Sequence, residues 1–386
     1  MRSGLFANGD DKRIKMAGIY IHVPFCKSKC TYCDFASYPD EIGKAEAYFA
    51  CLYKEMRSRA EELKGKSFDT VYFGGGTPSF VDPKYVLGCM RLIKEKFSLA
   101  DGAEITLEVN PGTIDRNKLR VYKEAGITRY SLGLQSADDK MLRRLNRIHN
   151  KYDFLAAADM LKGYELSVDV MIGLFDQTET DVRQSIDLAI AGGADHISVY
   201  ALTPEEGTPM YGNYLNGDLP DADEVASLYD FGVRYLKEKG FLRYEVSNFC
   251  KPGHESRHNS NYWRRGEYIG FGVSASSFIG GRRFTNTERI DEYVHCLLNG
   301  KYAEVYSEKI EGKDAKDEFV MLSLRTTRGI VKKEYSAAFG SEFDADYANA
   351  VKNQSEYLIV TNESVRIKDE YLYVQNSVIV GFMEQQ

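Results

Sequence analysis

A chain of 386 residues is long for one small core and leads us to expect two domains. Hydrophobic residues at 43% and charged residues at 28% are ordinary for a soluble globular protein, and no apolar run approaches the ~20 residues a bilayer crossing needs. A net charge of −7 disfavours a general nucleic-acid or anionic-membrane binder, since both want basic patches.

In chain order, residues 1–15 are polar and aperiodic and read as a disordered extension, with Met16 as a plausible start and no signal peptide before it. A β-type run, Gly18-Ile-Tyr-Ile-His-Val-Pro24, leads into Cys26-Lys-Ser-Lys-Cys30-Thr-Tyr-Cys33. Three thiols in C-x3-C-x2-C spacing cannot close a four-thiolate cluster, so one iron of a [4Fe–4S] unit would stay open for an exogenous ligand. The same thiols also allow a zinc site with a distant fourth ligand, a redox pair from Cys30 and Cys33, or simple packing. No second C-x2-C or H-x3-H pair follows. Seven cysteines, three clustered and four scattered, suit a reducing cytosol, and Cys51, Cys89, Cys250 and Cys296 read as buried thiols.

Strand and helix patterns then alternate. Helices are expected over 44–64, 83–97, 115–125, within 138–163, and over 180–191; strands over 70–73, 104–109, 129–135, 167–172 and 196–201. With the first run, that is six strands joined by helical crossovers, the pattern of a parallel sheet. Polar residues near nearly every strand's C-terminal end favour a barrel over a doubly wound sheet. Gly74-Gly-Gly-Thr77 and Asn110-Pro-Gly112 end two of these strands. Glu108 faces opposite to Ile105, Leu107 and Val109 in a period-2 reading. Past Pro204 a helix spans 221–240; residues 246–310 read as an irregular extension, and 311–386 as a small α/β domain ending in a hairpin of 364–368 with 372–374. Arg257-His258-Asn-Ser-Asn-Tyr262-Trp263 holds the only tryptophan; from chemistry alone His258 is a hydrogen-bonded packing residue, although an imidazole is also a common heme ligand.

The cysteine loop with its flanking Tyr20-Ile-His-Val-Pro-Phe-Cys26 and Cys33-Asp-Phe-Ala resembles the radical S-adenosylmethionine (SAM) enzymes, from about Met16 to the C-terminus. The resemblance is to the branch holding oxygen-independent coproporphyrinogen III oxidases of porphyrin biosynthesis and related heme chaperones. It implies an open (β/α)6 barrel over 16–245 and a C-terminal domain of the oxidase type. It further implies cluster ligation by Cys26, Cys30 and Cys33, with SAM held by its amino and carboxylate groups on the open iron. Tyr20, Tyr32, Gly75, Gly76, Thr77, Glu108, Gln135, Arg147 and Asp169 match positions that line SAM sites in this branch. Phe35 stands where the oxidases carry a further cysteine, and H-N-x-x-Y-W matches the heme-binding motif of the chaperones, which assigns heme to His258. Gly272-Val-Ser-Ala-Ser276 reads more like the oxidases. The expectation is a cytoplasmic heme chaperone that passes heme to acceptor hemoproteins, without nucleic acid or membrane insertion. Oxidative decarboxylation of coproporphyrinogen is the alternative.

Overall fold

The structure is a computed structural model and describes residues 17–383, so the expected extension over 1–15 and the Met16 start lie outside the described residues. Six parallel strands run in chain order, each bonded to the next: β1 (Ala17–Val23), β2 (Ser67–Gly75), β3 (Ser98–Val109), β4 (Arg129–Gln135), β5 (Glu165–Ile172) and β6 (His196–Ala201). They are joined by α1 (Ala45–Glu62), α2 (Pro83–Lys96), α3 (Arg116–Ala125), α4 (Asp139–Arg144) with α5 (Lys151–Met160), and α6 (Glu179–Ala191). Side-chain caps fix several helix starts: Asp115 accepts from the Lys118 amide at 2.8 Å, and Thr178 and Asp181 cap each other. Gly126 ends α3 in a left-handed conformation that costs glycine little.

Along each barrel strand the two faces differ. Ile19, Ile21, Val71, Phe73, Leu107, Leu132, Val168 and Val170 join the core with Phe49, Leu52, Met90 and Ile93 of the helices. The alternate positions are polar and lie in register: Tyr20 beside Tyr72, Glu108 beside Ser131, Gly133 beside Asp169, and Asp169 beside Ser198. A polar inner face and an apolar helix-covered face are what period-2 alternation gives once the sheet curls.

The barrel stays open because β1 and β6 do not pair. After α7 (Pro209–Leu215) and α8 (Ala222–Glu238), β7 (Leu242–Arg243) and β8 (Asn248–Cys250) extend the β6 edge. At the other edge β9 (Tyr268–Phe271) adds parallel to β1, followed by antiparallel β10 (Ser276–Ile279), β11 (Arg282–Asn286) and β12 (Glu304–Lys309), to complete twelve strands. Residues 246–310 are therefore not irregular. They carry these strands, the short α9 (Arg257–Trp263) and α10 (Ile290–Leu298). Strands of three to six residues separated by tight turns, as at Gly280 and Gly281, give too short a period to read.

Residues beyond 311 form α11 (Gly312–Ser323), β13 (Ile330–Val331), α12 (Lys332–Phe339), α13 (Phe343–Asn353), β14 (Leu358–Val360), β15 (Ser364–Ile367) and α14 (Gln375–Met383) around a second apolar core. The expected hairpin is corrected: β15 pairs with β14 upstream, in the order β13-β15-β14. Residues 372–374 instead follow a 3-10 turn that buries Leu372 in the core before α14. Among the described residues no helix is long and apolar enough to cross a membrane.

A candidate cluster and cofactor site at the strand ends

The cysteine loop leaves the C-terminal end of β1 and is stapled at both ends. The Tyr38 amide donates to the Pro24 carbonyl at 2.7 Å, and the buried His22 ring bonds the Ala36 carbonyl (2.8 Å) and the Tyr20 hydroxyl (3.0 Å). Burial holds His22 down to about 4, so the ring is neutral and serves as a strut. Asn146, in a left-handed turn between α4 and α5, donates to Ser28 Oγ and the Lys29 carbonyl at 2.9 and 2.8 Å. That turn delivers Arg147 to the loop.

Each of the three thiols meets one polar side chain. Thr77 Oγ1 donates to Cys26 Sγ at 3.4 Å, Arg147 Nη1 to Cys30 Sγ at 3.5 Å, and Ser37 Oγ lies 3.7 Å from Cys33 Sγ. All seven cysteines are free; Cys51, Cys89 and Cys250 are buried as expected, and Cys296 is half-buried. Among the described residues no three His, Cys, Asp or Glu side chains converge on a single-ion position. A cluster instead places each thiolate on its own iron, and three thiols with a donor apiece fit that group.

The Gly74–Thr77 turn packs directly on the loop. The Gly76 and Thr77 amides donate to the Val23 and Phe25 carbonyls, both at 2.9 Å. A Cβ on Gly76 would lie 2.9 Å from both carbonyls and 3.0 Å from Cys26 Sγ, while one on Gly75, at φ +112°, would strike the His22 ring. Only glycines allow this approach.

Glu108 projects into the barrel beside the loop. It accepts from Tyr72 Oη at 2.8 Å and the Gly75 amide at 3.2 Å. Burial raises its carboxyl to about 7, helped by the neighbouring charge of Asp169. Asp169, within 3.3–3.4 Å of the Ser131 hydroxyl, is likewise raised by burial, to about 6. Arg147 does not grip a carboxylate as a fork: its Nη2 donates to Asn110 Oδ1 (2.7 Å) and the Gly133 carbonyl (2.9 Å), and its Nε has no partner. Gln135 ends β4 in a left-handed conformation, with its amide beside Gly133. Tyr32 packs against the apolar cluster that holds Met141, Leu145 and Met171; burial raises its hydroxyl strongly, against the pull of Arg147. Gly75, Gly76, Thr77 and Gln135 thus lie at strand ends, Tyr32 in the loop itself and Arg147 on the turn after α4, while Tyr20, Glu108 and Asp169 sit within β1, β3 and β5.

His258 lies elsewhere, lower in the barrel. Its side chain is 1% exposed and stacks on Tyr72, with ring centroids 5.1 Å apart. Both ring nitrogens are engaged, Nδ1 with Thr70 Oγ1 at 2.8 Å and Nε2 with Tyr262 Oη at 2.7 Å. Burial lowers the imidazole to about 3, so it is neutral. Its helix is mounted on Glu104, which accepts from the Arg257 and His258 amides at 3.1 and 3.0 Å. Sequence reasoning passed over His22, Tyr72, Asn110 and Asn146. Asn110 and His22 sat inside the motifs that were read, whereas Asn146 and Tyr72 carried no signal.

An open parallel barrel with three donor-supplied thiols at the end of its first strand is the architecture of a radical SAM protein. The profile of the radical SAM superfamily matches residues 20–189, and that of the HemN C-terminal domain matches residues 310–370. The heme chaperone HemW of Bacillus subtilis (strain 168) is 31% identical over 376 residues, covering 95% of this chain and 99% of that protein. The heme chaperone HemW of Escherichia coli (strain K12) is 33% identical over 330 residues, covering 83% and 86%. The chain belongs to the HemW family. Among solved structures, the coproporphyrinogen III oxidase HemN of Escherichia coli shares the fold, with a TM-score of 0.84 over 96% of this chain and 91% of that one at 20% identity.

Proposed function

We propose that this protein binds heme and passes it to acceptor hemoproteins, and that it carries a [4Fe–4S] cluster on Cys26, Cys30 and Cys33 with SAM beside it. The observation that carries the chaperone reading is relatedness to proteins named heme chaperone HemW at about 30% identity across nearly the whole chain. Phe35 in place of the oxidases' extra cysteine supports it. When bound, the cluster supplies an open iron for the amino and carboxylate groups of SAM. Around it Thr77 and Arg147 donate to Cys26 and Cys30 and the Ser37 hydroxyl pairs with Cys33, contacts that favour thiolate against the burial that raises the Cys26 and Cys33 thiols. Glu108 offers the ribose hydroxyls a carboxylate. Gly75 and Gly76 keep the backbone clear for the amino end, and Tyr20, Tyr32, Gln135, Arg147 and Asp169 complete the wall.

For heme, the segment 257–263 is the element we assign. His258 as it stands is enclosed, and ligating iron through it requires one of its two bonds, to Thr70 or to Tyr262, to open. The decisive experiment is anaerobic reconstitution with iron and sulfide, then addition of hemin and of SAM to separate aliquots of wild type and Cys30→Ala. A cysteine-dependent cluster signal altered by SAM, with a stoichiometric heme band, is expected. Cytoplasmic location is part of the same reading and rests on the cysteine content. The shared HemN fold keeps the oxidase reading in view; protoporphyrinogen formation from coproporphyrinogen III under reductant and SAM would replace the chaperone reading.

A further inference from the structure

One cavity of about 360 Å3 opens between α9, the β9–β11 meander and α11, and of the residues assigned above only Tyr20 and Tyr262 line it. Its size falls in the range of roughly 300–1,000 Å3 typical of small-molecule sites. Its walls are Tyr20, Tyr262, Tyr268 and Phe278, with Arg265 and Arg283 at one side. Tyr262 and Tyr268 meet edge to face at 4.6 Å, and the Arg265 guanidinium lies 4.7 Å over the Phe278 ring. Aromatic faces beside guanidinium groups suit a flat conjugated ligand that carries acid groups.

Three observations make this a built site. Arg265 and Arg283 share the single carboxylate of Glu318, at 2.6 Å each, so a positive charge is left over. Arg265 lines the cavity, and its Nη2, shielded from solvent, has no hydrogen-bond partner, so the guanidinium is not fully satisfied by Glu318. Arg265 and Ser274, both on this wall, hold φ of +55° and +54°, a left-handed backbone that non-glycine residues adopt at a cost and that clusters at functional sites. Tyr262 is moreover the member of the H-N-x-x-Y-W segment that reaches the cavity, with His258 hydrogen-bonded behind it.

We infer that this cavity seats the acid-bearing edge of the heme, with a propionate on the Arg265–Arg283 guanidinium pair and the macrocycle against Tyr262 and Tyr268. His258 then acts as a positioning residue through Tyr262. The inference rests on the heme-chaperone reading and specifies where and how that ligand is held. It is tested by Soret titration of the full chain with hemin and with the dimethyl esters of hemin and protoporphyrin, for wild type and Arg265→Gln, with SAM binding followed in parallel. Arg265→Gln is expected to weaken hemin binding about tenfold or more while SAM binding holds. On wild type, esterification is expected to weaken hemin by a similar factor, an arm that does not depend on the variant folding. If wild type binds hemin but neither the variant nor esterification changes its affinity, the cavity assignment fails and the chaperone reading survives. If wild type binds no hemin, both fall.

Discussion

Glu108 is the residue where sequence alternation, burial and chemistry meet. Its carboxyl is raised to about 7 because the barrel interior disfavours the charged form, and Asp169, raised to about 6, acts in the same direction. A raised carboxyl contributes most to folding while protonated, below its ordinary range, and that contribution is lost as pH rises through about 7. Replacing it with glutamine removes the charge. The Tm of Glu108→Gln relative to wild type is therefore expected to rise between about pH 5 and pH 8, and a pH-independent difference would contradict the burial argument. The same variant should lower SAM affinity, read by calorimetry on the reconstituted protein. At Gly76 the limit is steric: two backbone carbonyls stand 2.9 Å from a new Cβ and neither is a flexible side-chain end. Gly76→Ala is expected to cost about 1–3 kcal/mol and to reduce cluster incorporation, measured as iron per chain after reconstitution.

At the scale of elements, α9 is a plug as well as a candidate ligand helix. Glu104 on β3 accepts both of its first amides and sits 3.7 Å from Arg129. Glu104→Gln turns one acceptor into a donor facing a donor, and should loosen α9 by about 1–3 kcal/mol. Hemin affinity is expected to fall while the cluster spectrum stays unchanged, which separates the two halves of the site. The six barrel strands were legible because β-type runs alternate with helical patterns along the chain, and Arg129–Gln135 and His196–Ala201 fall where that rhythm puts them. The cysteine loop and Gly74–Thr77 were legible from residue type and spacing. The β9–β12 meander was not, being built of strands of four to six residues whose partners are set by β1. Nor could a sequence show that His258 faces inward: its position depends on Thr70 and Glu104, more than 150 residues away. Arg265 stayed hidden for the same reason, since its left-handed backbone and its tie to Glu318 are tertiary facts.

At the scale of the molecule two large apolar cores are joined by polar contacts, Val246 to Arg325 and Thr327 to Tyr244 along the backbone and Arg265 and Arg283 to Glu318, and by a small apolar cluster of Phe278, Ile310 and Ala315 on which Phe339 packs. Phe343 is fully buried in the smaller core against Tyr335 and Tyr347. Phe343→Ala should cost about 3–5 kcal/mol. Because Phe343 belongs to the smaller core alone, limited proteolysis of that variant is expected to cut beyond residue 310 first, leaving the barrel protected and the cavity without its α11 wall. The twelve-stranded order has a consequence in time. β1 leads into the thiol loop and is the first strand made, yet one of its two neighbours, β9, is made some 250 residues later. At translation rates of about 5–20 residues per second, that delay is on the order of tens of seconds. Through that interval the nascent chain presents Cys26, Cys30 and Cys33 in a loop whose parent strand has one open flank, so iron–sulfur delivery and thiol oxidation compete for the same three sulfurs before β9 is in place.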